Sequence, residues 1–185
     1  MEKFKALTDG RITLYLIEDE NLSNVREMFS EFPDSDYMLG ELEKSCRPKY
    51  DTQDRRIKFG FYTLLYEDLA GLSLLGISSW DHRRGYTGAD TFIHMRGKGI
   101  APGSKPHLFY LAFKILGLNR IETGCDESNI SSKKSIEKTK GFKYEGTLRE
   151  FKRKPDGTFE DEHRYAILKS DWEILYDKSK IRVIE

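Results

Sequence analysis

The segment Arg96-Gly97-Lys98-Gly99-Ile100-Ala101 is the part of the chain whose residue types and spacing point most directly to chemistry. Two glycines flank a lysine between a strand-like run, residues 90–94, and a helical pattern. Glycine reaches positive φ without a steric penalty and lets a ligand come close to the backbone. A helix behind the loop adds unpaired N–H groups and the positive end of its dipole. Such a loop can turn its N–H groups toward a pyrophosphate, and it can equally be a plain surface turn. Ser104 is placed to reach the same phosphate or to cap a helix before Lys105-Pro106.

Two other phosphate motifs are excluded. A dinucleotide site needs a third glycine and an acid about 20 residues on, early in a strand–helix–strand unit. Here the third glycine is missing and the loop lies past the middle of the chain. The nucleoside-triphosphate loop G-x-x-x-x-G-K-[ST] is also missing. The pattern present is Arg/Gln-x-x-Gly-x-Gly/Ala: Arg96, Gly99, Ala101. An apolar helix follows through Leu108, Leu111, Ala112, Ile115 and Leu116. Then come Gly117-Leu118-Asn119-Arg120-Ile121-Glu122, Asn129-Ile130-Ser131-Ser132 and Glu137-Lys138-Thr139-Lys140-Gly141-Phe142-Lys143-Tyr144-Glu145-Gly146.

At these residues the chain resembles the GNAT superfamily of acetyl-CoA-dependent N-acetyltransferases, with the likeness strongest to the branch containing the ribosomal-protein N-terminal acetyltransferases. Residues 96–146, about a quarter of the chain, carry it. The resemblance implies an α+β GNAT fold: a mixed, mostly antiparallel sheet of about seven strands flanked by helices. It also implies acetyl-CoA as co-substrate and direct transfer in a ternary complex to a primary amine of a protein N-terminus or a small molecule; the chain has no CxxC or Cys/His ligand cluster, so no metal is expected. In that family the pantetheine arm pairs with the strand before the glycine loop. This assigns residues 91–94 to the arm, with Phe92, Ile93 and His94 offering N–H groups, and Arg96, Gly97, Lys98, Gly99, Ile100 and Ala101 to the pyrophosphate. Asn129 matches the asparagine that bonds the arm, and Ser132 the serine of N-x-x-S that protonates the departing thiolate. Both also read as routine helix caps, and Ser131 and Ser135 are alternatives to Ser132.

Attack by an amine needs a base or a desolvating site, because an aliphatic amine is mostly protonated near neutral pH. The candidates are Glu150, His94, whose imidazole is a common general base, Asp90, and a water. Spacing from Glu145-Gly146 places Lys152, not Glu150, at the family's position. The tyrosine that many members carry on the helix after Asn129 is missing, with Ile136 or Glu137 in its place. This motivates a second reading, a non-catalytic acyl-CoA sensor, and a third, an interaction module on the same fold.

These residues need a scaffold. A chain of 185 residues reads as one domain, with an acceptor-shaping half at about 1–85 and a coenzyme-binding core at about 86–146. Lys+Arg and Asp+Glu both total 31, which argues against a general nucleic-acid or membrane-surface binder. Zero net charge suits a monomer or a homodimer. The two cysteines, Cys46 and Cys125, fit plain thiols in a reducing compartment. Residues 1–5 lack a signal peptide's apolar run, so the expectation is a cytoplasmic protein. Residues 11–17 alternate as a strand. Leu22, Val25, Met28 and Phe29 mark a helix, and residues 37–49 a second. Residues 59–66 and 72–80 form a hairpin around a turn at 68–71. Residues 86–94 form the strand leading to the loop. Pro106 removes an internal bond, so the regular helix is expected from about Lys105. A last hairpin turns at Pro155-Asp156-Gly157, and the tail from Trp172 reads as helical or loose.

Overall fold

The computed structural model describes residues 4–185. Residues 1–3, part of the stretch read as lacking an apolar leader, lie outside them. Among the described residues ten strands make one sheet. They are β1 (Ala6–Thr8), β2 (Ile12–Leu16), β3 (Lys49–Tyr50), β4 (Arg56–Leu65), β5 (Asp68–Ser79), β6 (Arg84–Thr91), β7 (Arg120–Asp126), β8 (Lys143–Arg153), β9 (Phe159–Leu168) and β10 (Arg182–Ile184). The order is β10-β1-β2-β4-β5-β6-β7-β9-β8, with β3 on β4. All pairings are antiparallel except β6 with β7. The sheet is therefore larger than the expected seven strands. The short β1, β3 and β10 enlarge it, and the tail closes it by placing Val183 opposite Leu7.

Alternation makes the strands two-faced. In β2, Ile12 and Leu14 are fully buried while Thr13 and Tyr15 are half-buried. Ile12, Leu14 and Leu16 share a face with Leu65, Thr63 and Phe61 of β4. This face is covered by α3 (Ile100–Phe109), whose Gly103 approaches so closely that a Cβ there would lie 2.5 Å from Ile12 Cδ1. Helix α4 (Ile130–Lys138) lies beside α3 and packs Ile136 on Cys125 and Tyr165. The opposite face carries α1 (Leu22–Ser30) and α2 (Ser35–Glu41). In α1 the buried Leu22, Val25 and Phe29 form one helical stripe. Helix α2 runs into a π turn, Leu42–Cys46, that ends where Arg47 turns extended before Pro48. This turn rests on Gly60, whose Cβ would fall 2.0 Å from the Cys46 carbonyl oxygen.

Three local expectations are corrected. The hairpin turn is at Tyr66 and Glu67, with Tyr66 at φ 56, so that Asp68 already pairs with Leu65. Gly71 serves beside a bulge, where its φ of +153 brings it against the Asp90 carbonyl. Strand β6 stops at Thr91, and Ile93–Met95 form a 3-10 turn. Helix α3 starts at Ile100 and contains Pro106. The buried Ile100, Leu108 and Phe109 hold its axis against the sheet and outweigh the one bond the proline removes. The chain then passes through a π turn, Tyr110–Ile115, into β7, and α5 (Lys169–Leu175) covers the far end with Trp172.

Candidate active site

The parallel junction, the one among the described residues, is short. Strands β6 and β7 pair at Arg84 with Arg120, Gly85 with Ile121 and Tyr86 with Glu122. Both strands continue beyond that point, to Thr91 and Asp126, without pairing to each other, β6 staying on β5 and β7 on β9. The first residues past the junction are bridged by a side chain: the Thr123 hydroxyl donates to the Thr87 carbonyl at 3.2 Å. Past this apex β6 and β7 no longer pair with each other, which leaves a cleft between them.

Backbone direction alternates along a strand. The Phe92 N–H donates to Ala70 O on β5, which turns Asp90 and Gly88 toward β5 as well. The Thr87 carbonyl faces β7. The N–H groups of Ala89 and Thr91 therefore point into the cleft with no strand opposite. This unpaired edge lies earlier on the strand than the expected residues 92–94. Of the three residues expected to supply it, Phe92 is bonded to Ala70 and fully buried. The Ile93 N–H donates to Asp34 Oδ2 at 3.0 Å. His94 lies in the turn, exposed, with its ring stacked 5.2 Å from Phe32. The strand ends too early to include them.

Each strand bordering the cleft is followed by a helix, so two helix N-termini stand at its open end. Ahead of α3 the loop carries Gly97 at φ +79 and Gly99 at φ +74, the latter as N-cap. A Cβ on Gly97 would meet nothing within 4 Å, leaving the backbone open. Arg96 and Lys98 are exposed, Ile100 is buried, and Ala101 is half-buried in the first turn. Ser104 is neither at the loop nor a cap. It is fully buried in the second turn, and its hydroxyl donates to the Ala101 carbonyl at 3.0 Å. At the head of α4, Asn129 is the N-cap: its Oδ1 accepts from the Ser132 N–H at 3.0 Å and from the Ser131 hydroxyl. This cap fixes the half-buried Ser132 in the first turn of α4.

The base candidates separate clearly. Glu150 lies on the outermost strand, exposed, in a bulge with φ +51 and its N–H on Asp161. Strands β9 and β7 stand between it and β6. Lys152 is paired with Asp126, which raises its pKa and keeps it a cation. Asp90 is on β6 itself, on the α2 side, and accepts from the Tyr37 hydroxyl at 3.0 Å. Burial lifts its carboxyl above the usual range, partly opposed by that hydrogen bond. Burial and the same carboxylate push the Tyr37 phenol up to about 12.

Sequence reading missed one neighbour of the loop. Arg11, in the β1–β2 turn, donates from Nη2 to the Lys98 carbonyl at 2.8 Å. Nothing local marks it, since the contact exists only once the sheet brings the two turns together.

No family model matches the chain. The Bacillus subtilis (strain 168) protein YjcK, a probable N-acetyltransferase, is 31% identical over 149 residues, covering 78% of this chain and 81% of its own. This chain is a GNAT-type N-acetyltransferase. Solved structures show the same fold. A crystal structure provisionally assigned as an acetyltransferase matches with TM-score 0.71 at 21% identity, over 97% of this chain and 94% of that one. The spermidine/spermine N-acetyltransferase SpeG of Vibrio cholerae, in complex with manganese ions, matches with TM-score 0.65 at 22% identity, over 90% and 97%. A dodecameric form of the Vibrio cholerae spermidine enzyme gives 0.64 at 21%, over 88% and 96%.

GNAT acetyltransferases use acetyl-CoA, and this site has the features such a ligand requires. The glycine loop is open backbone in left-handed conformation. The cleft has an unpaired strand edge. At its apex the Thr87 hydroxyl is buried and has no hydrogen-bond partner among the described residues. Those residues include no helix long and apolar enough to cross a membrane, and no group of three or more His, Cys, Asp or Glu placed to hold a metal.

Proposed function

We propose that this N-acetyltransferase carries an acetyl group from acetyl-CoA directly to a primary amine, with both substrates bound together. The divergence of β6 and β7 beyond Tyr86 and Glu122 supports this most, because it opens a route through the sheet from the α3–α4 face to the α1–α2 face. When bound, acetyl-CoA supplies the activated acetyl thioester. The chain's own residues do the rest. Loop N–H groups from Gly97 to Ala101 meet the pyrophosphate, aided by Arg96 and Lys98. The Ala89 and Thr91 N–H groups hold the arm and polarise the thioester carbonyl. Asn129 keeps its side-chain N–H groups for the arm while its oxygen caps α4. Ser132, at the head of α4, offers a proton to the departing sulfur.

The amine enters from the α1–α2 face, where Asp90 takes its proton directly or through water. A partly buried carboxyl with a raised pKa suits that task. Asp90 is favoured over His94 and Glu150 because it alone lies on the strand that borders the cleft. Asp34, Asp36 and Glu41 on the same side favour a cationic acceptor. So does the fold shared with an enzyme named for spermidine and spermine.

Thiol release from acetyl-CoA, measured against polyamines, amino sugars, amino acids and N-terminal peptides, tests the reading. Release dependent on one amine class is the expected result. Asp90→Asn should lower kcat by about 100-fold or more while leaving acetyl-CoA affinity near wild type. Coenzyme binding without release across the panel would overturn the assignment of turnover.

A further inference from the structure

We propose that Arg11, outside the glycine loop, is a phosphate-binding residue of the coenzyme site. The inference rests on the reading that acetyl-CoA lies at that loop. The Arg11 Nη2 donates to Lys98 O at 2.8 Å and stands 3.9 Å from where a Cβ of Gly99 would lie. Its Nη1 is 3.8 Å from the corresponding point on Gly103. The guanidinium thus spans the first turn of α3, where the helix N–H groups are unpaired.

The arginine is held from both sides. Its N–H donates to Asp9 Oδ1 at 2.9 Å, and its carbonyl accepts from the Tyr66 N–H at 2.7 Å. The Asp9 carboxylate is thereby directed at the backbone of its own turn, where Oδ1 also accepts from the Ile12 N–H at 2.8 Å. Among the described residues no carboxylate forms an ion pair with Arg11, whereas Arg26, Arg47, Arg55, Arg56, Arg120 and Arg164 each have one. The first turn of α3 has no acidic residue, and Gly99 provides no side-chain cap. The head of α3 and an unneutralised guanidinium therefore meet at the Lys98 carbonyl, with no carboxylate ion-paired there among the described residues. The planar fork of arginine keeps further N–H donors free for phosphate oxygens after bonding Lys98.

The test compares wild type, Arg11→Ala and Arg11→Lys with three acetyl donors: acetyl-CoA, 3′-dephospho-acetyl-CoA and acetyl-pantetheine, which has no phosphate diester or monoester. Arg11→Ala should weaken acetyl-CoA binding by about tenfold or more, with the deficit shrinking as salt rises, and Arg11→Lys should restore part of it. Turnover of acetyl-pantetheine should be the same in all three proteins. If the deficit persists with the dephospho donor, Arg11 contacts the pyrophosphate; if it vanishes, the 3′-phosphate. Wild-type affinity in Arg11→Ala would overturn the proposal. So would an equal loss with acetyl-pantetheine, which would mean that Arg11 only braces the loop through Lys98. Failure of the wild type itself to bind acetyl-CoA would overturn both this proposal and the site assignment beneath it.

Discussion

The Thr123 side chain replaces a backbone bond that β6 and β7 no longer make: its hydroxyl donates to the Thr87 carbonyl at 3.2 Å, one residue past the last paired position. Both threonines are buried. Thr123→Val would keep the shape and leave that carbonyl unsatisfied. The expected loss of stability is on the order of 1–3 kcal/mol, read by chemical denaturation. Thr123→Ser should recover most of it.

Gly97 isolates the contribution of backbone conformation. Its φ is +79 and a Cβ would touch nothing within 4 Å. Gly97→Ala should therefore cost about 1 kcal/mol from strain alone, seen as a Tm lower by roughly 2–4 °C, with weaker acetyl-CoA binding as the loop relaxes.

Gly60 presents the opposite case, sterics without strain. An added methyl would meet the Cys46 carbonyl oxygen at 2.0 Å and its Cα at 2.5 Å. Gly60→Ala should displace the π turn and cost about 1–3 kcal/mol, and Cys46, otherwise buried, should become reactive to a thiol reagent.

Lys105 gives the fold a pH dependence. It lies in α3, almost wholly buried, and burial brings its pKa down to about 8. Above that value the folded state sheds the proton while the unfolded chain keeps it up to about 10.5. The unfolded state then binds more protons, so this group's contribution to stability rises with pH between the two values. Lys105→Met should stabilise the protein at pH 7 by on the order of 2 kcal/mol. That advantage should narrow as pH climbs from about 8 toward 10, in melts taken across the range.

Asn129 is proposed to cap α4 and hold the coenzyme arm, and two substitutions separate the roles. Asn129→Asp keeps the accepting oxygen that caps the Ser132 N–H, so stability should hold while acetyl-CoA affinity falls, because the side-chain N–H is gone. Asn129→Ala should lose both, with about 1 kcal/mol from the cap. Equal affinity in wild type and Asn129→Asp would remove Asn129 from the arm site.

Local patterns were readable in the sequence, and long-range geometry was not. The stripe Leu22, Val25, Phe29 and the alternation of Ile12 and Leu14 declared α1 and β2 because each is one element burying one face. The glycine loop was readable because positive φ leaves glycine as its signature, and Gly97 and Gly99 both adopt it. The end of β6 was not, since Phe92 and Ile93 look like strand residues. Only the bonds to Ala70 and Asp34, from distant segments, show that they leave the cleft edge. β10 has too little local pattern to stand without β1 beside it. Ser104 resembles a cap in sequence, yet the helix begins a turn earlier because the buried Ile100 and the left-handed Gly99 set its start. Arg11 reaches Lys98 only through the completed sheet.

The most direct test of the coenzyme site is calorimetric titration of acetyl-CoA into the wild type and into Gly99→Glu. That substitution places a side chain and a negative charge at a left-handed N-cap, where phosphate is proposed to bind. Micromolar binding by the wild type and none by a folded Gly99→Glu protein is the predicted result. Equal binding by both, or none by a folded wild type, would contradict the site.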